Sequence, residues 1–125
     1  MARIKALSIV APGGSRIASG EKTLEVRRWR PNLGADEDLL IVENRCFLYR
    51  DGDIDPDGRA VAVVRISGVR AFTPNDIEAA CASSYEDGWL AWEISHLRPI
   101  AKPFPAIAAR KIYTLDVEDE FLREK

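Results

Sequence analysis

A chain of 125 residues, 46% of them hydrophobic, is one domain spanning residues 1–125 and long enough to bury a core. Its formal net charge of −2 argues against a protein that coats duplex nucleic acid by charge alone. Cys46 and Cys81 match no metal-ligand spacing, no apolar run approaches the ~20 residues of a membrane span, and the N-terminus has no apolar signal-peptide core. A cytoplasmic location with reduced thiols is therefore expected, with no membrane partner.

Arg3 to Ile9 alternates apolar and polar residues and predicts a first strand. Ala11-Pro12-Gly13-Gly14 breaks it, Ser15 to Ser19 is a short helix at most, and Gly20 is placed to end that helix. Lys22 to Trp29 predicts a second strand, and Pro31 to Gly34 turns the chain again. The continuous apolar centre of Asp38 to Asn44 predicts a strand covered on both faces, extended past a bulge by Cys46-Phe47-Leu48-Tyr49. After a hydrophilic connection at residues 50–58, the β-branched run Arg59 to Val69 returns as the second arm of a long hairpin.

Thr73-Pro74-Asn75-Asp76 carries a helix start of capping residue, proline and acid, predicting a short helix to about Ala82. Trp89 to Leu97 predicts a strand ended by Pro99, the Pro103 and Pro105 pair a stiff crossing, and Arg110 to Val117 a last strand. The acidic tail 118–125 predicts a short frayed helix. The class is α+β, mainly β: a small barrel of five to six strands with two or three short helices, since longer crossover helices would be needed for a doubly wound sheet.

The chemistry concentrates in Ser19 to Pro31, where a lysine, two carboxylates and three arginines surround Trp29. On a strand, Thr23, Glu25, Arg27 and Trp29 share one face, so Glu25 and Arg27 can pair around a small ligand. Lys22 has the opposite parity and joins them only if the chain twists after Gly20. Arg28 and Arg30 add to the local basic patch.

Elsewhere the signals are weaker. Asp53-Ile54-Asp55-Pro56-Asp57-Gly58 matches half of an EF-hand loop, but Val64 stands where a glutamate is required, which makes it a hairpin turn. His96 is the sole histidine and reads as a hydrogen-bonded structural residue. No metal site and no cofactor is expected. Trp29, Trp89 and Trp92 read first as core or cavity wall and second as surfaces on which bases stack. Glu93, a carboxylate inside an otherwise apolar strand, reads as a partner for the cationic cluster. The one place for glycine-rich anion binding is Pro12-Gly13-Gly14-Ser15 ahead of the short helix.

Gly20-Glu21-Lys22-Thr23-Leu24-Glu25-Val26-Arg27 resembles the complete G-x-K-x-x-E-x-R signature of the ASCH domain family. Gly88 to Ile94 with Arg98-Pro99-Ile100 resembles its later tryptophan strand, and the resemblance covers most of residues 4–115. It implies a small single-domain member of the PUA-like superfamily, with a cleft beside the signature that takes RNA or a nucleotide. Two activities occur among small members: cleavage of single-stranded RNA and amide hydrolysis of N4-acylated cytidine. Lys22 matches the lysine of the amidohydrolase branch, but its threonine position is occupied here by Glu25. That branch's glutamate has Glu78, Glu86 and Glu93 as candidates.

The residues therefore predict an RNA- or nucleotide-binding protein, with single-stranded RNA as a cleavable substrate. Lys22, Glu25 and Glu93 are the catalytic candidates, and Arg27, Arg28, Trp29 and Trp92 the ligand-binding ones. Amide hydrolysis of a modified nucleoside and a non-catalytic binding module are the alternatives.

Overall fold

The computed structural model describes residues 1–122. Eight strands and one short α-helix follow one another: β1 (Ala2–Val10), α1 (Gly13–Ala18), β2 (Leu24–Arg27), β3 (Leu39–Asn44), β4 (Ile54–Asp55), β5 (Arg59–Ala71), β6 (Leu90–Pro105), β7 (Ala108–Ala109) and β8 (Ile112–Val117). Short 3-10 turns cover Pro74–Asp76 and Asp119–Leu122. Six strands form one sheet in the order β2-β6-β5-β3-β1-β8, parallel only between β1 and β3, and β4 pairs with β7 alone.

The continuous apolar run of β3 is explained by its position. Leu39, Leu40, Ile41 and Val42 are each at most 1% exposed, because both faces of the strand are covered. Leu39 and Ile41 pack with Leu7, Ile17 of α1, Val64 and Trp92, whereas Leu40 and Val42 pack with Ile4, Ile100, Phe104 and Val117. A third cluster of Leu24, Phe72, Ala80 and Ala91 lies under the segment between β5 and β6.

The sheet is not closed by hydrogen bonds, yet it is strongly curled. Strands β2 and β1 are four positions apart in the sheet order, about 19 Å in a flat sheet at ~4.8 Å per strand. Even so, Arg27 Nη2 of β2 donates to the Ser8 carbonyl of β1 at 3.0 Å. The result is a mainly β, barrel-like fold, as the sequence predicts.

Three expectations change. Cys46 to Tyr49 does not extend β3; it leaves the sheet, with Phe47 and Tyr49 exposed. Pro99 does not end β6, which runs on to Pro105 beside β5 through several bulges. The strand tolerates prolines there because β2 covers it only from Leu90 to Glu93, leaving the rest with a free edge where a missing N–H costs no ladder bond. The helix predicted to reach Ala82 is shortened to the 3-10 turn Pro74–Asp76 and a run of turns to Cys81. The acidic tail forms the 3-10 turn Asp119–Leu122, and its last three positions lie outside the described residues.

The capping box at Thr73 is present, and its acid is clamped. Asp76 Oδ2 accepts from Thr73 N at 2.9 Å, while Arg70 donates to both carboxylate oxygens at 2.8 and 3.1 Å. The Arg70 guanidinium, then the Thr73 amide, hold the Asp76 carboxyl well below the usual carboxylate range. A carboxylate whose pKa is depressed by folding stabilises the protein above its unfolded value of ~4, and that contribution disappears as pH falls through the folded value. Thermal melts of wild type and Asp76→Asn should therefore converge as pH is lowered from about 5 to 2; a gap that stays constant would refute the clamp.

Candidate functional site

The site is built where α1 ends and β2 begins. Gly20 adopts φ 84°, a left-handed conformation that closes the helix and that an L-residue with a side chain resists. The reversal lets Lys22 N donate back to the Arg16 carbonyl at 3.0 Å. Lys22 thereby swings its side chain inward, despite its parity, to meet the strand face carrying Glu25 and Arg27.

These three side chains form one network, in which Lys22 and Glu25 are buried and Arg27 is half-buried. Lys22 Nζ lies 3.2 Å from Glu25 Oε1, and Arg27 Nη2 lies 2.7 Å from Glu25 Oε2. Arg27 Nε also donates to Oε2, at 2.8 Å. The lysine further donates to the Ala80 carbonyl at 2.6 Å. Both carboxylate oxygens are thus occupied, whereas among the described residues Lys22 has a third N–H and Arg27 its Nη1 group to spare. The side chains of Lys22 and Glu25 are only 9% and 8% exposed, so the charges are held in place before any ligand arrives.

Around the network opens a cleft of about 510 Å³, within the roughly 300–1,000 Å³ typical of small-ligand sites. Its walls combine cations (Arg16, Lys22, Arg27, Arg110, Lys111) with one carboxylate, Glu25, and with Trp29 and Phe47. Arg16 is tied to Glu21 at 3.1 Å and Arg110 to Asp51 at 3.4 Å, while exposed Lys111 has no carboxylate partner among the described residues. Ser8 is the only hydroxyl residue of the lining among the described residues. Its oxygen accepts from Ala109 N at 3.1 Å and meets the Tyr113 hydroxyl at 2.8 Å. Since Tyr113 gives its proton to the Ile107 carbonyl at 2.9 Å, Ser8 donates to Tyr113 and its own proton is used. Burial pushes the Tyr113 phenol up, keeping that relay protonated.

A family model for the ASCH domain matches residues 7–104, from the middle of β1 to the end of β6. The chain belongs to the ASCH domain family. The Lys22–Glu25–Arg27 network lies inside that span, and the cleft largely does. No curated protein matches the chain in sequence. Among solved structures, ASCH from Zymomonas mobilis superposes with a TM-score of 0.62 at 18% identity, covering 81% of this chain and 72% of that one. Two point mutants of the Zymomonas protein superpose with TM-scores of 0.58, again at 18% identity and over 81% of this chain, covering 72% and 74% of theirs. At this identity the likeness concerns the fold.

Of the candidates named from this ASCH sequence, Lys22, Glu25, Arg27 and Trp29 come together in the cleft. Trp92 does not line it: at 0% exposure it is core, edge-on to Trp29 at 4.9 Å and donating from its indole to the Trp29 carbonyl at 3.2 Å. Its contribution is to fix Trp29. Glu93 is paired across the strands with Leu24, one residue out of step with Glu25, so it faces the other side of the sheet, 3.4 Å from Arg70. Arg28 points the same way, 75% exposed, with its guanidinium 5.8 Å from the Trp89 ring. The glycine-rich turn is also closed to anions: Glu43 already accepts from Ser15 N at 2.6 Å and from Ser15 Oγ at 2.9 Å. Gly14 permits this, since a Cβ there would sit 2.8 Å from that of Glu43.

Sequence reasoning missed Arg16, Phe47, Arg110 and Lys111 as cleft residues. They are separated by up to 95 positions, and no local pattern joins them.

Breaking a buried charge network by removing its central member costs about 3–5 kcal/mol, against a total stability of ~5–15 kcal/mol for a domain. Glu25→Gln, which keeps the shape and removes the charge, should lower the urea midpoint accordingly. A loss below about 1 kcal/mol would mean that water already solvates the network.

Proposed function

We propose that this protein binds RNA or a nucleotide in the Lys22–Arg27 cleft. The observation that carries this reading is the charge of the cleft: five cations and one carboxylate line it, on a chain whose net charge is −2. The spare donors of Lys22 and Arg27, with Lys111, suit a phosphate or carbonyl oxygen, while Trp29 and Phe47 offer apolar walls to a base. Glu25 orients the two cations. Membership of the PUA-like ASCH family, often linked to RNA binding, supports the same ligand class.

Cleavage of single-stranded RNA fits these residues better than amide hydrolysis. Cations beside a phosphate stabilise the phosphorane that forms when a 2′-hydroxyl attacks. Glu25 is the only carboxylate of the lining among the described residues, so the 2′-hydroxyl proton goes to it or to water. The P–O5′ bond breaks, and the leaving 5′-oxygen takes a proton from Lys22 or water; Glu93 faces away from the cleft. Hydrolysis of an N4-acylated cytidine calls for a nucleophile, and Thr23 is not among the lining residues while the Ser8 proton is engaged. The Cys81 thiol, which also lines the cleft 3.6 Å from Glu21 Oε2, and water bound by Lys22 are what remain for that reaction.

Lys22→Ala is the test. It leaves Glu25 paired with Arg27, so the far-UV spectrum and a cooperative melt should be retained. Binding of single-stranded RNA should weaken, and any cleavage should fall on the order of 10²-fold or more. An unchanged cleavage rate would end the catalytic reading, and unchanged affinity would end the binding one. Cytidine release from N4-acetylcytidine, lost in Lys22→Ala, would favour the amidohydrolase instead.

A further inference from the structure

Phe47 and Tyr49 lie on the connection between β3 and β4, 65% and 76% exposed, in a chain whose Trp92, Phe72 and Phe104 are buried. Their rings are 6.2 Å apart and tilted by 36°. The backbone beneath them is pinned. Asp53 Oδ2 accepts from Tyr49 N at 3.1 Å and from Arg50 N at 3.0 Å, and Arg110 Nη1 donates to the Tyr49 carbonyl at 2.9 Å. Anchored main chain with free rings is the arrangement of a platform rather than of a loose loop.

The platform is continuous with the cleft, because Phe47 lines it beside Arg110 and Lys111. Lys111 has φ 57°, an uncommon backbone state for a residue with a side chain. Of the acids nearby, Asp53 is committed to the loop amides, Asp55 to the Arg45 and Asp57 amides and Asp51 to Arg110, while Asp57 lies on the Cys46 side of the loop. A rim with two exposed aromatic rings and a lysine that has no carboxylate partner among the described residues complements a polyanion that also carries flat apolar faces.

We infer that the Phe47–Tyr49 ledge is a second subsite, on which the base flanking the cleft nucleotide stacks. The ligand is then a single-stranded oligonucleotide rather than a free nucleoside, with Lys111 beside the phosphate that joins the two positions. This rests on the nucleotide reading of the cleft and extends it by naming the ligand's length. Aromatic stacking holds single-stranded bases without regard to sequence, since every base has a π-face. Duplex RNA keeps its bases stacked on one another and offers none to the ledge.

Titration calorimetry separates the two readings, using the four 5′-mononucleotides and the matching 2′-O-methyl RNA hexamers, which lack the attacking hydroxyl. With wild type, the hexamer of the preferred base should bind at least tenfold tighter than its mononucleotide. Tyr49→Ala, outside the cleft lining, should remove on the order of tenfold or more from the hexamer affinity and leave the mononucleotide affinity unchanged. Phe47→Ala should also weaken the hexamer, and both variants should melt like wild type because the rings are exposed. A hexamer no tighter than the mononucleotide, or a hexamer affinity untouched by Tyr49→Ala, would overturn the ledge while leaving the cleft reading intact. Binding of neither probe by wild type would overturn both.

Discussion

One carboxylate holds the curled sheet and the cleft together. Glu25 binds Lys22 through one oxygen and Arg27 through the other. Arg27 in turn reaches the Ser8 carbonyl of β1, and Lys22 the Ala80 carbonyl in the segment between β5 and β6. The edge strand β2 is thereby tied to the opposite part of the sheet without any strand pairing between them. Burying the charges of Lys22 and Glu25 is costly, and well-packed apolar residues would often stabilise such a site as much or more. A polar network retained at that cost, facing a cleft, is accounted for if its donors are needed there.

The same geometry sets what chemistry is available. A carboxylate already shared by two cations serves first to position them. The hydroxyl of Ser8 is committed to Tyr113, so the unspent polar groups of the cleft, among the described residues, include the spare N–H donors of Lys22 and Arg27 and the buried acceptor Asn44 Oδ1. Spare donors held in place in this way suit negative charge and need little rearrangement to meet it. Trp92 contributes at one remove, buried under Trp29 and bonded to its carbonyl.

The cleft and the aromatic ledge differ in how they are held. The network residues are fixed by burial within the sheet, whereas Phe47 and Tyr49 are presented by a loop whose main chain is pinned from both sides, by Asp53 and by Arg110. The loop departs from the sheet at Asn44, whose buried side chain donates to the Cys46 carbonyl. The absence of regular pairing at Cys46 to Tyr49 is what exposes the rings. A continued strand would have turned alternate side chains into the core.

Much of the fold was legible in the sequence because it rests on local pattern. The alternation of β1, the apolar centre of β3 and the β-branched run of β5 each follow from strand periodicity and burial, and Gly20 marks the turn into the signature. The G-x-K-x-x-E-x-R spacing also pointed to Lys22, Glu25 and Arg27, which the fold brings into contact. Tertiary structure decided what periodicity does not encode. Strand register put Glu93 opposite Leu24 and so on the far face, although its type and neighbourhood fitted the site. Limited cover by β2 let β6 run through three prolines. The curl of the sheet brought Arg16, Arg110 and Lys111 to one cleft. Sequence determines which side chains share a strand face; only the pairing and curvature of the sheet determine which faces meet.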